Sequence, residues 1–234
     1  MATNRLISIL ALLLVALQVS AQTRYDSIKV KPASLTKNWG EKKGYLTLGV
    51  RNTISTFNGG GNYTGMGVGG HFRVPITPRI NTEWYADYIT NNISGIGHRT
   101  DAHIGWSVMY YVIDPYITKH TSRDPYTRLR KFNPFVEAGH CFDYGGIYRN
   151  GDDKPAAQRW SSAVQFGAGT HYNIGPRFDL TFKAQYMMHL GNDVHGHVRD
   201  GQLEIEEHNH GGLEGHLLIT LSVNFKLIRI WTKG

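Results

Sequence analysis

The chain has one cysteine, Cys141, so no disulfide within it can staple a fold. Beyond Leu6 to Leu17 it has no long apolar run, which leaves no later candidate for a membrane-crossing helix. Helical periodicity is also missing over any length that competes with the strand pattern described below. Charge is sparse and mixed. A net charge of +7 over 234 residues is not gathered into any nucleic-acid motif, so nucleic acid is not an expected partner. Mean hydropathy is −0.34, which by itself suits a water-soluble protein as well as any other. What the chain has in abundance is glycine, at 27 residues, and tyrosine, at 13.

The N-terminus is patterned for export. Asn4 and Arg5 precede the apolar run, and Val19-Ser20-Ala21 supply small residues before Gln22. A positive start, a short apolar core and a small-residue cleavage site make a secretory signal peptide. The core is shorter than the ~20 residues a spanning helix needs. The expected organisation is a leader at 1–21, a polar lysine-rich segment at 22–43 and a β domain at 44–234.

From Gly44 the sequence alternates with period two in eight successive segments. The first sets Leu46, Leu48 and Val50 against Thr47, Gly49 and Arg51; the second sets Met66, Val68 and Phe72 against Gly67, His71 and Arg73. The third opposes Trp84 and Tyr88 to Glu83 and Asp87, and the fourth opposes Ile104, Trp106 and Val108 to His103, Gly105 and Ser107. The fifth to eighth repeat the scheme around Glu137, Gln165, Lys183 and Ser222. Turn residues separate the segments, as in Val74-Pro75-Ile76-Thr77-Pro78-Arg79 and Asn173-Ile174-Gly175-Pro176-Arg177. This predicts an all-β fold, an antiparallel up-and-down barrel of about eight strands. Longer polar loops are expected at 91–101, 145–159 and 191–212. Residues 114–132 break the short-turn rule, and a hairpin below the barrel is the expectation there.

Alternation alone does not say which face is inside. Volume does. An eight-stranded barrel encloses just enough room for side chains or one small ligand. The apolar face, with Trp84, Trp106, Phe166, Phe182 and Phe225, would overfill it. The other face carries Gly65, Gly67, Gly69, Gly105, Gly139, Gly167 and Gly169 among Arg51, Arg73, Glu83, Glu137 and Lys183. Glycine on an exposed exterior would weaken strands without packing in return. The apolar face is therefore expected outward in lipid, where a closed barrel satisfies every backbone hydrogen bond. Phe72, Tyr110, Tyr172, Phe178 and Phe225 fall near one rim, and Tyr88, Phe142 and Tyr186 near the other, as interfacial girdles do.

The chain resembles the small, porin-like outer-membrane β-barrels common in Bacteroidetes-type bacteria. The resemblance rests on the leader ending Ala21-Gln22, on Asn133-Pro134-Phe135-Val136-Glu137-Ala138-Gly139, on Gly167-Ala168-Gly169, and on the strand-turn-strand around Gly175-Pro176-Arg177-Phe178-Asp179. It implies residence in the bacterial outer membrane, contact with outer-membrane lipids and lipopolysaccharide, and an envelope or surface protein as partner. Its motifs report fold more than activity; no enzyme activity is expected, because the chain lacks a nucleophilic serine beside a histidine base. Family barrels often end on an aromatic, whereas this chain continues past Phe225 to Trp231-Thr232-Lys233-Gly234.

Three sets of residues are candidates for chemistry. Arg51, Arg73 and Lys183 against Glu83 and Glu137 make a charge network, read as packing in a plugged lumen rather than a selectivity filter. Six of the twelve histidines lie between His189 and His216. An Asp200-Gly201 turn would bring His197 opposite Glu204 and His195 opposite Glu206, with His208 and His210 on the same face. Imidazoles on one side of a strand beside carboxylates suit zinc or copper, and the alternative is a solvated, pH-responsive loop. Finally, His189-Leu190-Gly191-Asn192 faintly resembles a segment of lipid A-modifying barrels, but glycine stands where a nucleophilic serine is needed.

Overall fold

The computed structural model describes residues 42–57, 64–119, 126–191, 193–199, 202–208 and 215–233. The leader at 1–21 and all but the end of the 22–43 segment lie outside the described residues.

Twelve strands are present among these residues: β1 (Lys42–Phe57), β2 (Thr64–Pro75), β3 (Ile80–Ile93), β4 (Gly97–Tyr111), β5 (Tyr116–Lys119), β6 (Tyr126–Leu129), β7 (Phe132–Arg149), β8 (Ala157–Asn173), β9 (Phe178–His189), β10 (Asp193–Arg199), β11 (Gln202–His208) and β12 (Gly215–Lys233). Eight of them close into an antiparallel barrel in the order β1-β12-β9-β8-β7-β4-β3-β2. Closure pairs β1 with β12, from Lys42 opposite Lys233 to Phe57 opposite His216. No barrel edge is left to expose unpaired backbone to hydrocarbon. The lower end carries the turns at 76–79 and 174–177; the upper end carries the connections after β3 and β7 and the β10–β11 pair.

The faces divide as volume demands. Trp84, Trp106 and Phe182 are exposed on the exterior at 46%, 40% and 53%, while Arg51, Arg73 and Glu137 are 3–4% exposed inside. Water would not tolerate such a continuous apolar exterior. The lumen glycines let strands and side chains close in. A Cβ on Gly139 would overlap the Trp106 carbonyl oxygen, and one on Gly67 would overlap that of Tyr88.

Two connections differ from expectation. The polar stretch 91–101 is mostly strand: Thr90 pairs with Thr100, Asn91 with Arg99 and Ile93 with Gly97. Its inward residues fill the upper lumen, so polarity there reports burial among polar partners rather than a loop. The reversal needs only residues 94–96, with Ser94 and Gly95 at φ of 49° and 78° and the Gly95 N–H donating to Asn92 Oδ1. Likewise β7 and β8 consume both ends of 145–159 and leave a connection at 150–156.

The connection between β4 and β7 is a hairpin, as expected, but it does not extend the barrel strands themselves. β5 and β6 pair with each other, Tyr116 opposite Leu129, as a sheet separate from the barrel. The hairpin is tied back to the lower end of β1 by the Lys42–Asp114 ion pair at 2.8 Å and by the Tyr116 hydroxyl donating to the Lys43 carbonyl. Partial burial would raise the Asp114 carboxyl, but Lys42 and the Tyr116 backbone N–H hold it below the usual range. Burial pushes the Tyr116 phenol up.

Candidate functional site

The lumen is the most organised polar region of the molecule. Among the described residues twelve charged ones are buried in it: Arg51, Arg73, Arg99, Arg159, Lys183 and Lys226 against Glu83, Asp87, Asp101, Glu137, Asp143 and Asp179. Six cations meet six carboxylates. Taking so many ions from water is tolerable only if each is paired and hydrogen-bonded.

At mid-height, Lys183 from β9 donates to Glu83 of β3 at 2.7 Å and to Glu137 of β7 at 3.3 Å. Arg51 reaches Glu83 at 3.3 Å and Asp87 at 3.0 Å, with its guanidinium 4.4 Å from the centre of the Tyr85 ring. Ser107 donates to Glu137, and Tyr85 donates to Gln165 Oε1 at 2.6 Å. These contacts cross-brace β1, β3, β4, β7, β8 and β9 through the centre of the barrel.

The lower layer is built on Asp179. Arg73 donates to both of its oxygens at 3.2 and 3.0 Å, Asn224 donates at 2.7 Å and Lys226 lies at 3.6 Å. Below it, a cavity of about 60 Å³ is floored by Pro115, Tyr116 and Leu129 at the hairpin. The hairpin thus lines the lower end of the lumen.

The upper layer is built on Asp143. Arg159 donates to it at 2.7 Å, and His103 Nε2 and His189 Nδ1 lie at 3.1 and 3.2 Å. His216 packs against both imidazoles, with ring centres 5.8 and 4.9 Å away. Arg99 clasps Asp101 through Nε at 3.0 and 3.1 Å. Between the middle and upper layers lies an apolar cluster of Tyr85, Ile89, Cys141, Ala163, Met187 and Leu218. Cys141 faces inward and contacts Met187 sulfur at 3.7 Å.

The serine missing from the chain next to His189 is supplied by β8. Ser161 Oγ lies 3.4 Å from His189 Nδ1, and Arg159 donates to the same hydroxyl at 2.9 Å. A hydrolytic relay uses the two ring nitrogens separately, one toward the nucleophile and one toward the carboxylate. Here the single Nδ1 faces both Ser161 and Asp143, so the triplet is not arranged as a proton relay.

The histidine-rich segment is a hairpin in the expected register. β10 and β11 pair with His195 opposite Glu206, His197 opposite Glu204 and Asp193 opposite His208. His210 lies outside the described residues. Glu204 is exposed. Val198, Leu203 and Ile205 pack instead onto Ile93 and Ile147 of the barrel. The hairpin so covers part of the upper mouth with apolar side chains. Among the described residues no group of three His, Cys, Asp or Glu is placed to hold a metal ion.

Closed strand order, an apolar exterior and a charge-balanced lumen are the attributes of one class of protein. The chain is a membrane-spanning β-barrel of the outer-membrane type. It is similar in fold to the Neisserial surface protein A, at a TM-score of 0.50 and 13% identity over 80% of this chain and 99% of that one. It also aligns with the N-terminal β-barrel domain of OprF of Pseudomonas aeruginosa, at a TM-score of 0.43 and 14% identity over 79% of this chain and 100% of that one. At these identities the likeness is one of fold. No protein-family model and no curated protein matches the chain.

Proposed function

We propose that the protein is a non-enzymatic barrel of the bacterial outer membrane whose lumen is closed to solutes, and that it serves the envelope through its outer surface. The observation that carries this reading is the Glu83–Lys183–Glu137 bridge at mid-height, which links β3, β9 and β7 through the barrel centre. The 1–4% exposure of Glu83, Lys183 and Glu137 supports closure at that level. The hairpin of β5 and β6 below and that of β10 and β11 above reinforce closure. Refolded barrel in a planar lipid bilayer should show heat-modifiable gel mobility and no steady conductance. A reproducible open channel would discard the closed-lumen reading.

A second reading is favoured by the register of β10 and β11. Two His–Glu cross-strand pairs, His195–Glu206 and His197–Glu204, stand two residues apart, a spacing that suits zinc or copper at the cell surface. Titration of the folded barrel with either metal by calorimetry decides it. Binding no tighter than millimolar removes this reading.

A further inference from the structure

The lipid-facing wall is mostly bulky, and the strand register shows one place where it is not and a groove opens. One rung, followed across neighbouring strands, runs Phe178, Phe225, Leu48, Phe72, Trp84 and Trp106. The next rung up runs Val223, Val50, Gly70, Ala86 and Ile104. The one above carries Val68 and Tyr88. Gly70 and Ala86 are therefore adjacent small residues in a frame of large ones. A Cβ on Gly70 would meet nothing nearer than the Gly49 carbonyl oxygen at 3.8 Å, so nothing in the barrel fills the space. A groove of about 820 Å³ opens there, and it runs down past Leu48 and Phe72 to Phe178 and Phe225. The stacked rings of Phe72 and Trp84, 6.2 Å apart and 4° from parallel, make a flat ledge along it.

The groove's chemistry selects its occupant. No Asp, Glu, Lys or Arg lines it, the polar His71 and Asn224 of its lining are buried on the lumen side, and it opens on the face where Val50 and Ile104 are 65% and 64% exposed. Water in an apolar recess would lack the hydrogen-bond partners that hold buried water. The volume lies within the ~300–1,000 Å³ of sites that hold small molecules. At the lower end the groove reaches Phe178, and the residue before it, Arg177, is an exposed cation at the level of the turn. Apolar length capped by a cation at the membrane rim matches one class of molecule.

We propose that this groove is a binding site for a single anionic glycerophospholipid, with one acyl chain laid along Phe72 and Trp84 into the Gly70–Ala86 notch and its phosphate beside Arg177. The site is independent of whether the lumen conducts or the upper hairpin binds metal. It rests only on the outward apolar face.

Native mass spectrometry of the refolded full barrel tests it, with equal amounts of phosphatidylglycerol and phosphatidylethanolamine of matched chains. Wild type should retain one phospholipid, with phosphatidylglycerol preferred about fivefold, the discrimination one interfacial arginine supplies. The double substitution Gly70→Leu and Ala86→Leu fills the notch from the lipid side without entering the lumen, and should lose retention. Arg177→Gln should keep a lipid but lose the headgroup preference. Heat-modifiable mobility verifies that each variant is folded. Retention equal in wild type and the notch-filled variant would overturn the proposal. So would a wild-type dimer that dissociates on notch filling, since a second copy would then be the occupant.

Discussion

Lys183 donates to Glu83 at 2.7 Å although β9 and β3 stand on opposite sides of the barrel and share no backbone hydrogen bond. The same ammonium holds Glu137 at 3.3 Å. Lys183→Met would leave Glu137 buried without the ammonium that holds it and Glu83 with Arg51 as its remaining cation. Breaking one partner of a buried ion pair costs about 3–5 kcal/mol, and that loss is expected in denaturant unfolding of the barrel in lipid. Adding Glu137→Gln to Lys183→Met should recover a large part of it. Simple additivity of the two losses would show that the bridge is not the source.

Glycines on the two faces should behave oppositely. Gly139 has no room for a methyl group against the Trp106 carbonyl, whereas Gly70 has open space. Gly139→Ala should destabilise by about 1–3 kcal/mol, as overpacking does. Gly70→Ala should be neutral or stabilise by about 0.5–1 kcal/mol, because alanine loses less backbone entropy in a strand. Equal effects at both sites would contradict the face assignment.

Depth in the bilayer should be readable from charge. Ile104 lies midway along β4 and faces outward, and Trp160 faces outward near the upper end of β8. An arginine on the lipid face costs about 2–4 kcal/mol at the bilayer midplane and about 0–1 near an interface. Ile104→Arg should therefore lower unfolding stability by the larger amount and Trp160→Arg by the smaller. Reversed magnitudes would move the membrane along the barrel.

The lower hairpin should loosen in acid. Because Lys42 and the Tyr116 N–H hold Asp114 below its ordinary value, that carboxylate contributes stability above the unfolded aspartate value of about 3.9. The contribution is lost as pH falls through the lower native value. Pepsin cleavage within 112–131 across the acid range should rise at a higher pH in Lys42→Met than in wild type. Coincident profiles would remove Lys42 from the latch.

The period-two pattern made the barrel and its faces legible because each strand has lipid on one side and a polar lumen on the other. Arg51, Glu83 and Lys183 could be placed inward strand by strand. Which charge meets which could not, since Lys183 and Glu83 are 100 residues apart and joined only through barrel closure. The Asp143 layer was hidden for the same reason: Asp143, Arg159, His103 and His189 come from three neighbouring strands and the loop end of a fourth. Tyr85, Ile89 and Leu218 escaped notice because they are apolar side chains in the lumen, against the rule the rest of their strands obey. Polar residues at 91–101 suggested a loop where a strand continues, because polarity marks both solvent and a polar interior.

The upper hairpin reads differently on its two faces. The His–Glu register followed from the turn residues alone, whereas the docking of Val198, Leu203 and Ile205 on Ile93 and Ile147 required the closed mouth. Leu203 also approaches Gly97, where an added Cβ would lie 3.2 Å from its Cδ2. Removing a leucine-sized contact and burying a charge in its place should detach the hairpin while leaving the barrel ladder untouched. Leu203→Asp is therefore expected to raise amide exchange across 193–208 without changing heat-modifiable mobility. A variant that loses barrel mobility as well would make the hairpin part of the closed structure rather than a cover resting on it.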